Sequence, residues 1–117
     1  MVENAEHVII GGKRDPQFGP IVMFGLGGVF VEVMKDVSFR ACPITRKDAM
    51  DMMQEIKGYQ ILKGYRGKSY DLNSLVNVLM KVCKLLMENQ KIQELDINPV
   101  FVLKKGAVAV DARIVLG

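Results

Sequence analysis

The sequence predicts an α+β fold: a mixed, mainly antiparallel sheet with two helices packed on one face. Three observations carry that expectation. Short β-branched runs broken by glycine or proline open the chain, as at Val8-Ile9-Ile10 before Gly11-Gly12. An apolar stripe spaced 3, 1, 3, 3, 1, 3 runs from Leu72 to Leu86, which is helical periodicity. Strict alternation then returns on both sides of Lys104-Lys105-Gly106, a hairpin signal. The order strand, strand, strand, helix, helix, strand, strand places both helices on one face of the sheet.

Composition bounds the rest. The chain has 117 residues, 50% hydrophobic and 25% charged, which fits one compact domain over residues 1–117. A chain of this size buries about two-thirds of its unfolded surface, enough for a core. The net charge of +3 is small and scattered, which argues against a nucleic-acid binder. Cys42 and Cys83 form no CxxC pair and, with a single His, supply no ordinary structural zinc site. They read as reduced, cytosolic core residues. The most apolar stretch, Ile21 to Met34, is short, carries Glu32 and is interrupted by glycine, so no membrane span is expected. The first residues lack the basic and apolar regions of a secretory signal. The expected location is the cytoplasm.

Each element has its own signal. Glu6 to Lys13 reads as a strand. Asp15-Pro16-Gln17-Phe18-Gly19-Pro20 reads as a turn, and Ile21 to Phe24 as a second strand paired with the first. Val29 to Lys35 is ambiguous between a helical turn and extended chain. Val37 to Cys42 alternates like a strand that Pro43 ends. Thr45 caps a helix, with Asp48 completing a capping box and Gly58 as the stop; Ala49, Met53 and Ile56 share its inner face. Lys63 to Lys68 is a basic loop. Asp71 caps the longer helix, which runs to about Asn89. Ile92 to Leu103 and Ala107 to Val115 are the closing strands.

The last hairpin carries the candidate chemistry. In Gln93 to Asn98, Leu95 and Ile97 point toward the helices while Glu94, Asp96 and Asn98 point away. If the loop is Lys104-Lys105, Asn98 stands opposite Asp111 and Asp96 opposite Arg113. If it is Lys105-Gly106, Asn98 faces Arg113. Both registers gather Glu94, Asp96, Asn98, Asp111 and Arg113 on one surface. Oxygen ligands beside a cation suit Mg²⁺ carrying phosphate, because Mg²⁺ takes few protein ligands and fills the rest with phosphate and water. Arg113 can pair with a phosphate oxygen. The same pattern also describes a solvated sheet face with a weak Asp96–Arg113 ion pair.

Further candidates are less specific. Glycine lets backbone N–H groups crowd an anion, so Gly25, Gly27 and Gly28 in Phe24-Gly25-Leu26-Gly27-Gly28 suit a phosphate, or simply a tight turn. Arg40 shares a strand face with Ser38 and Cys42; it reaches a phosphate or remains a surface arginine. Gly64-Tyr65-Arg66-Gly67 is an anion clamp or a helix connection. His7 has no orienting partner in the sequence and reads as structural.

These patterns together resemble one family. Arg14-Asp15-Pro16-Gln17-Phe18-Gly19-Pro20, Phe24-Gly25-Leu26-Gly27-Gly28, Gly64-Tyr65-Arg66-Gly67, Glu94-Leu95-Asp96-Ile97-Asn98-Pro99 and Asp111-Ala112-Arg113 occur in that order. The chain resembles the ATP-grasp domain of NDP-forming acyl-CoA synthetases, specifically the β subunit of the ADP-forming acetyl-CoA synthetase type, related to succinyl-CoA synthetase. The resemblance implies the reaction acyl-CoA + ADP + phosphate ⇌ acid + CoA + ATP, with phosphoryl transfer between nucleotide and a phosphohistidine. It implies Mg²⁺ and ATP or ADP as cofactors, with Asn98 and Asp111 as the metal ligands. Gly25, Gly27, Gly28, Arg40 and Arg113 become candidate nucleotide or phosphate contacts.

Only the second ATP-grasp subdomain has a counterpart; the first, with its lysine-bearing lid strand and relay histidine, has no match. The isolated chain is therefore expected to lack catalysis, with no catalytic residue of its own. Its expected partners are the missing first subdomain and a CoA-ligase α subunit. An uncovered apolar edge makes self-association expected too. The alternative is a non-catalytic oligomeric or interaction module with a vestigial site.

Overall fold

The computed structural model describes residues 6–26, 36–57, 59 and 70–117. The expected glycines Gly27, Gly28 and Gly58, the ambiguous stretch Val29 to Lys35 and the basic loop Lys63 to Lys68 lie outside the described residues. The elements are β1 (Glu6–Asp15), β2 (Gly19–Leu26), β3 (Val37–Ala41), α1 (Arg46–Glu55), α2 (Leu72–Glu88), β4 (Ile92–Val102), β5 (Ala107–Ala109) and β6 (Ala112–Leu116). They build one six-stranded sheet in the order β3-β2-β1-β4-β5, with β6 also pairing β4. Every described pairing is antiparallel, and both helices cover the same face. The result is the α+β fold that the sequence predicts.

The β1–β2 turn forms because Asp15 accepts the N–H groups of Gln17 (2.7 Å) and Phe18 (2.9 Å) and Gly19 takes φ +77. Arg14, beside it, reaches the other way. Its guanidinium donates to the carbonyls of Leu86 (2.6 Å), Asn89 (3.1 Å) and Ile92 (3.3 Å). It thereby satisfies carbonyls at the C-terminal end of α2 that the helix leaves without partners.

Both helix starts match their sequence signals. Thr45 accepts from Asp48 N–H (3.0 Å) while the Asp48 carboxylate accepts from Thr45 N–H (2.9 Å), the reciprocal capping box. Asp71 accepts from Ser74 N–H (3.1 Å). The inner face of α1 buries Ala49, Met52 and Met53, and that of α2 buries Leu75, Val76, Leu79, Val82, Cys83 and Leu86. They close over Val8, Ile10, Val22 and Phe24 of the sheet, all of them buried. Burying side chains of this size contributes about 1.5–3 kcal/mol each before conformational entropy is subtracted.

Cys42 and Cys83 are joined in a disulfide with their Cα atoms 5.5 Å apart. This corrects the reading of reduced core thiols. Their separation of 41 positions conceals that the chain leaving β3 runs beside α2. Among the described residues, no helix is long and apolar enough to cross a membrane.

Candidate functional site

The hairpin adopts the Lys104-Lys105 register. Val102 pairs with Ala107, Val100 with Ala109, Ile97 with Ala112 and Asp96 with Arg113. Between them Asn98 N–H donates to the Asp111 carbonyl (3.2 Å), so Asn98 and Asp111 are cross-strand neighbours. The return segment is not one strand. It divides into β5 and β6, with Val110 and Asp111 between them. Asp71 holds the turn in place: besides capping α2, its carboxylate accepts from Gly106 N–H (2.7 Å).

Where β4 meets β1 the register shifts. Val8 pairs with Val100, but Ile10 pairs with Ile97. Two steps along β1 match three along β4, so a bulge falls at Asn98-Pro99. The bulge exchanges the faces of β4: Leu95 is buried before it, and Val100 and Val102 after it. The side chains of Glu94, Asp96 and Asn98 are exposed on the face away from the helices. Asp96, Asn98, Asp111 and Arg113 line one hollow of about 300 Å³ there. The Arg113 guanidinium lies 3.5 Å from the Asp96 carboxylate.

A second groove of about 320 Å³ adjoins it and shares Asp96 and Arg113. Its other walls include Lys13, Met23, Phe39 and Glu94, and Gly11 is its floor. Gly11 pairs with Asp96, and a Cβ there would stand 3.1 Å from Asp96 Oδ1 and 3.5 Å from Met23 Cε. The missing side chain keeps the groove open. In the sequence Gly11 reads only as a residue within the strand Glu6 to Lys13, with no sign of this role.

Arg40 is not gathered with these residues. Even-numbered positions of β3 face the helices: Ser38 donates to the Met52 carbonyl (2.6 Å), and Arg40 forms an ion pair with Glu55. The bond to Glu55 raises the Arg40 pKa, and the same bond holds the Glu55 carboxyl below its ordinary value. Gly25 is buried against β3, where a Cβ would stand 2.7 Å from Val37 Cγ1. Close strand packing accounts for that glycine. His7 stacks on Phe101 with ring centroids 5.8 Å apart.

The donor set around the hollow is oxygen throughout: the Asn98 amide and the Asp96 and Asp111 carboxylates. Among the described residues no cluster of three His, Cys, Asp or Glu side chains forms a cage. An open, oxygen-lined site with few protein ligands fits Mg²⁺ brought in with phosphate better than Zn²⁺ or a caged Ca²⁺.

The architecture is an antiparallel sheet covered by helices on one face, with oxygen-bearing side chains on the other. The ATP-grasp domain family model matches residues 1–116, and the chain belongs to that family. It is 53% identical over 117 residues to the beta subunit of ADP-forming acetate–CoA ligase I of Pyrococcus furiosus, covering 99% of this chain and 50% of that protein. It is 51% identical over 118 residues to ADP-forming acetate–CoA ligase I of Archaeoglobus fulgidus, covering 100% of this chain and 17% of that protein. A solved structure of Ca. Korarchaeum cryptofilum dinucleotide forming acetyl-coenzyme A synthetase 1, in complex with coenzyme A and Mg-AMPPCP, matches with TM-score 0.94 and 47% identity. That match covers 100% of this chain and 55% of the other. The chain thus spans about half the length of the beta-subunit relative and a smaller share of the longer ligase. The expected kinship with ADP-forming acetyl-CoA synthetase β subunits is borne out.

Proposed function

We propose that this chain is the Mg²⁺–nucleotide half of an ADP-forming acyl-CoA synthetase, acting in the cytoplasm. In this reading it is the second subdomain of an ATP-grasp fold. It exchanges a phosphoryl group between ATP or ADP and a phosphohistidine only when a first ATP-grasp half and a CoA-ligase part are present. The observation that carries this is the placement of Asn98 beside Asp111 on the open sheet face.

Asn98 and Asp111 would hold the ion through their side-chain oxygens, and Arg113 would contact a phosphate oxygen. Bound there, Mg²⁺ would supply neutralisation of phosphate charge during transfer. The chain's own residues do the rest of the work on this face. The Asp96–Arg113 pair fixes the guanidinium at the rim of the hollow. Asp71 fixes the hairpin turn on which the register depends. Gly11 keeps room beside Asp96.

A non-catalytic oligomeric module is the second reading. It is favoured by the exposure of Val108, Val110, Ile114, Val115 and Leu116 along β5, β6 and the link between them. Titration with Mg²⁺·ADP, alone and with a first-half partner, separates the two. Metal-dependent binding in the assembled form, abolished by Asn98→Ala and by Asp111→Ala, supports the enzyme reading. Binding that both variants leave unchanged defeats the site, and no binding in any form leaves the module.

A further inference from the structure

Behind the sheet, on the side opposite the open face, a cleft of about 650 Å³ runs between α2 and the segment leading into α1. Ile44, Met80 and Met87 give it apolar walls; Arg46, Lys81 and Lys84 line it with cations. Its α2 lining extends from Asn77 to Glu88, a helical stripe about 16 Å long that, apart from Cys83, differs from the stripe that α2 buries on the sheet. Among the described residues none of Arg46, Lys81 and Lys84 is in an ion pair. Arg46 is nonetheless held in place, because it donates to Asn77 Oδ1 at 2.7 Å and lies 4.0 Å from Met80 Sδ.

We propose that this cleft is a docking groove for an acidic amphipathic helix. The groove runs along α2 for about three turns, the length over which an incoming helix presents anchors at i, i+3, i+4 and i+7. Unbranched methionines adapt to an apolar helix face. Cations with no ion-pair partner among the described residues call for carboxylates on the incoming helix; Glu88, at one end, is the only carboxylate among the described lining residues. A lipid surface fits poorly, since Ile44 is buried at the base of the cleft and does not protrude. The first turn of α1 offers no free anion site either, because Thr45 and Asp48 cap it. The helix comes from the remainder of the enzyme: relatives carry this unit as half of a subunit or less, and the groove leaves the open sheet face free. The inference rests on family membership and not on the metal site.

The test uses the whole chain and a synthetic helical peptide of about 15 residues, with leucines on one face flanked by glutamates. A second peptide carries lysine in place of each glutamate. The glutamate peptide should bind at least about tenfold more tightly, and binding should weaken as salt is raised. In the double variant Lys81→Glu/Lys84→Glu the preference should reverse. Both positions are exposed, and an unchanged circular-dichroism melt verifies that the variant folds. Assembly with the polypeptides that complete the enzyme should slow reductive methylation of Lys81 and Lys84 severalfold while Lys104 and Lys105 remain reactive. Equal affinity for both peptides, no binding of either, stronger binding to anionic vesicles, self-association through the cleft, or unslowed methylation in the assembly would each overturn the proposal.

Discussion

Gly12 of β1 backs directly onto Leu86 of α2. A methyl group on Gly12 would stand 2.5 Å from Leu86 Cδ1 and 3.0 Å from Val82 Cγ1. Both neighbours are buried in the core, so either must shift against packed side chains. Gly12→Ala should therefore destabilise the fold by about 1–3 kcal/mol through overpacking. Urea unfolding of the two proteins measures it; an unchanged midpoint would show that α2 shifts freely on the sheet.

Asp71 links the longer helix to the functional hairpin. Its donors, Gly106 N–H first and then Ser74, hold its carboxyl below the ordinary aspartate value. A depressed folded pKa adds stability above the unfolded value of about 4 and loses it as pH falls through the folded value. Stability should therefore fall more steeply below about pH 4 in the native protein than in Asp71→Asn. Denaturation midpoints measured at neutral pH and at steps down from it decide this, and parallel curves would remove Asp71 from the account.

The Cys42–Cys83 bond closes a loop with a sequence separation of 41. Closure of a loop that long stabilises a fold by about 2–4 kcal/mol. Thermal unfolding with and without reductant should differ accordingly, and Cys42→Ser should melt like the reduced protein. Identical melts, with free thiols detected in both samples, would place the cysteines in reduced form.

The two candidate arginines should behave differently. Arg40 is committed to Glu55 on the helix side, so Arg40→Ala should leave Mg²⁺·ADP binding by the assembled enzyme unchanged. Because the pair is partly exposed, the loss of stability should stay below about 1 kcal/mol. Arg113→Ala should weaken nucleotide binding. Calorimetric titration of both variants tests the assignment; the opposite ranking would move the phosphate site to the other face.

Local signals were legible wherever a few neighbouring residues carried the physics. The apolar stripe of α2 and the caps at Thr45 and Asp71 needed only helical periodicity and one side-chain acceptor each. The turn at Lys104-Lys105-Gly106 narrowed the hairpin to two registers, and the structure takes the one in which Asp96 faces Arg113. The break at Val110 and Asp111 left no such mark, because the closing strand alternates through it. Nor did the role of Gly11, which appears only once β2 and β4 flank β1.

The sequence by itself determined the two helices and the strands up to the last hairpin, and narrowed that hairpin to two registers, because each follows from periodicity, capping or turn signals over a few residues. The tertiary structure alone decided which face each β4 residue takes beyond Asn98, since the bulge exists only against β1. It likewise decided that Arg40 goes to Glu55 and that Cys42 meets Cys83. Those partners lie far apart along the chain, and only packing α1 and α2 on the sheet brings them within reach.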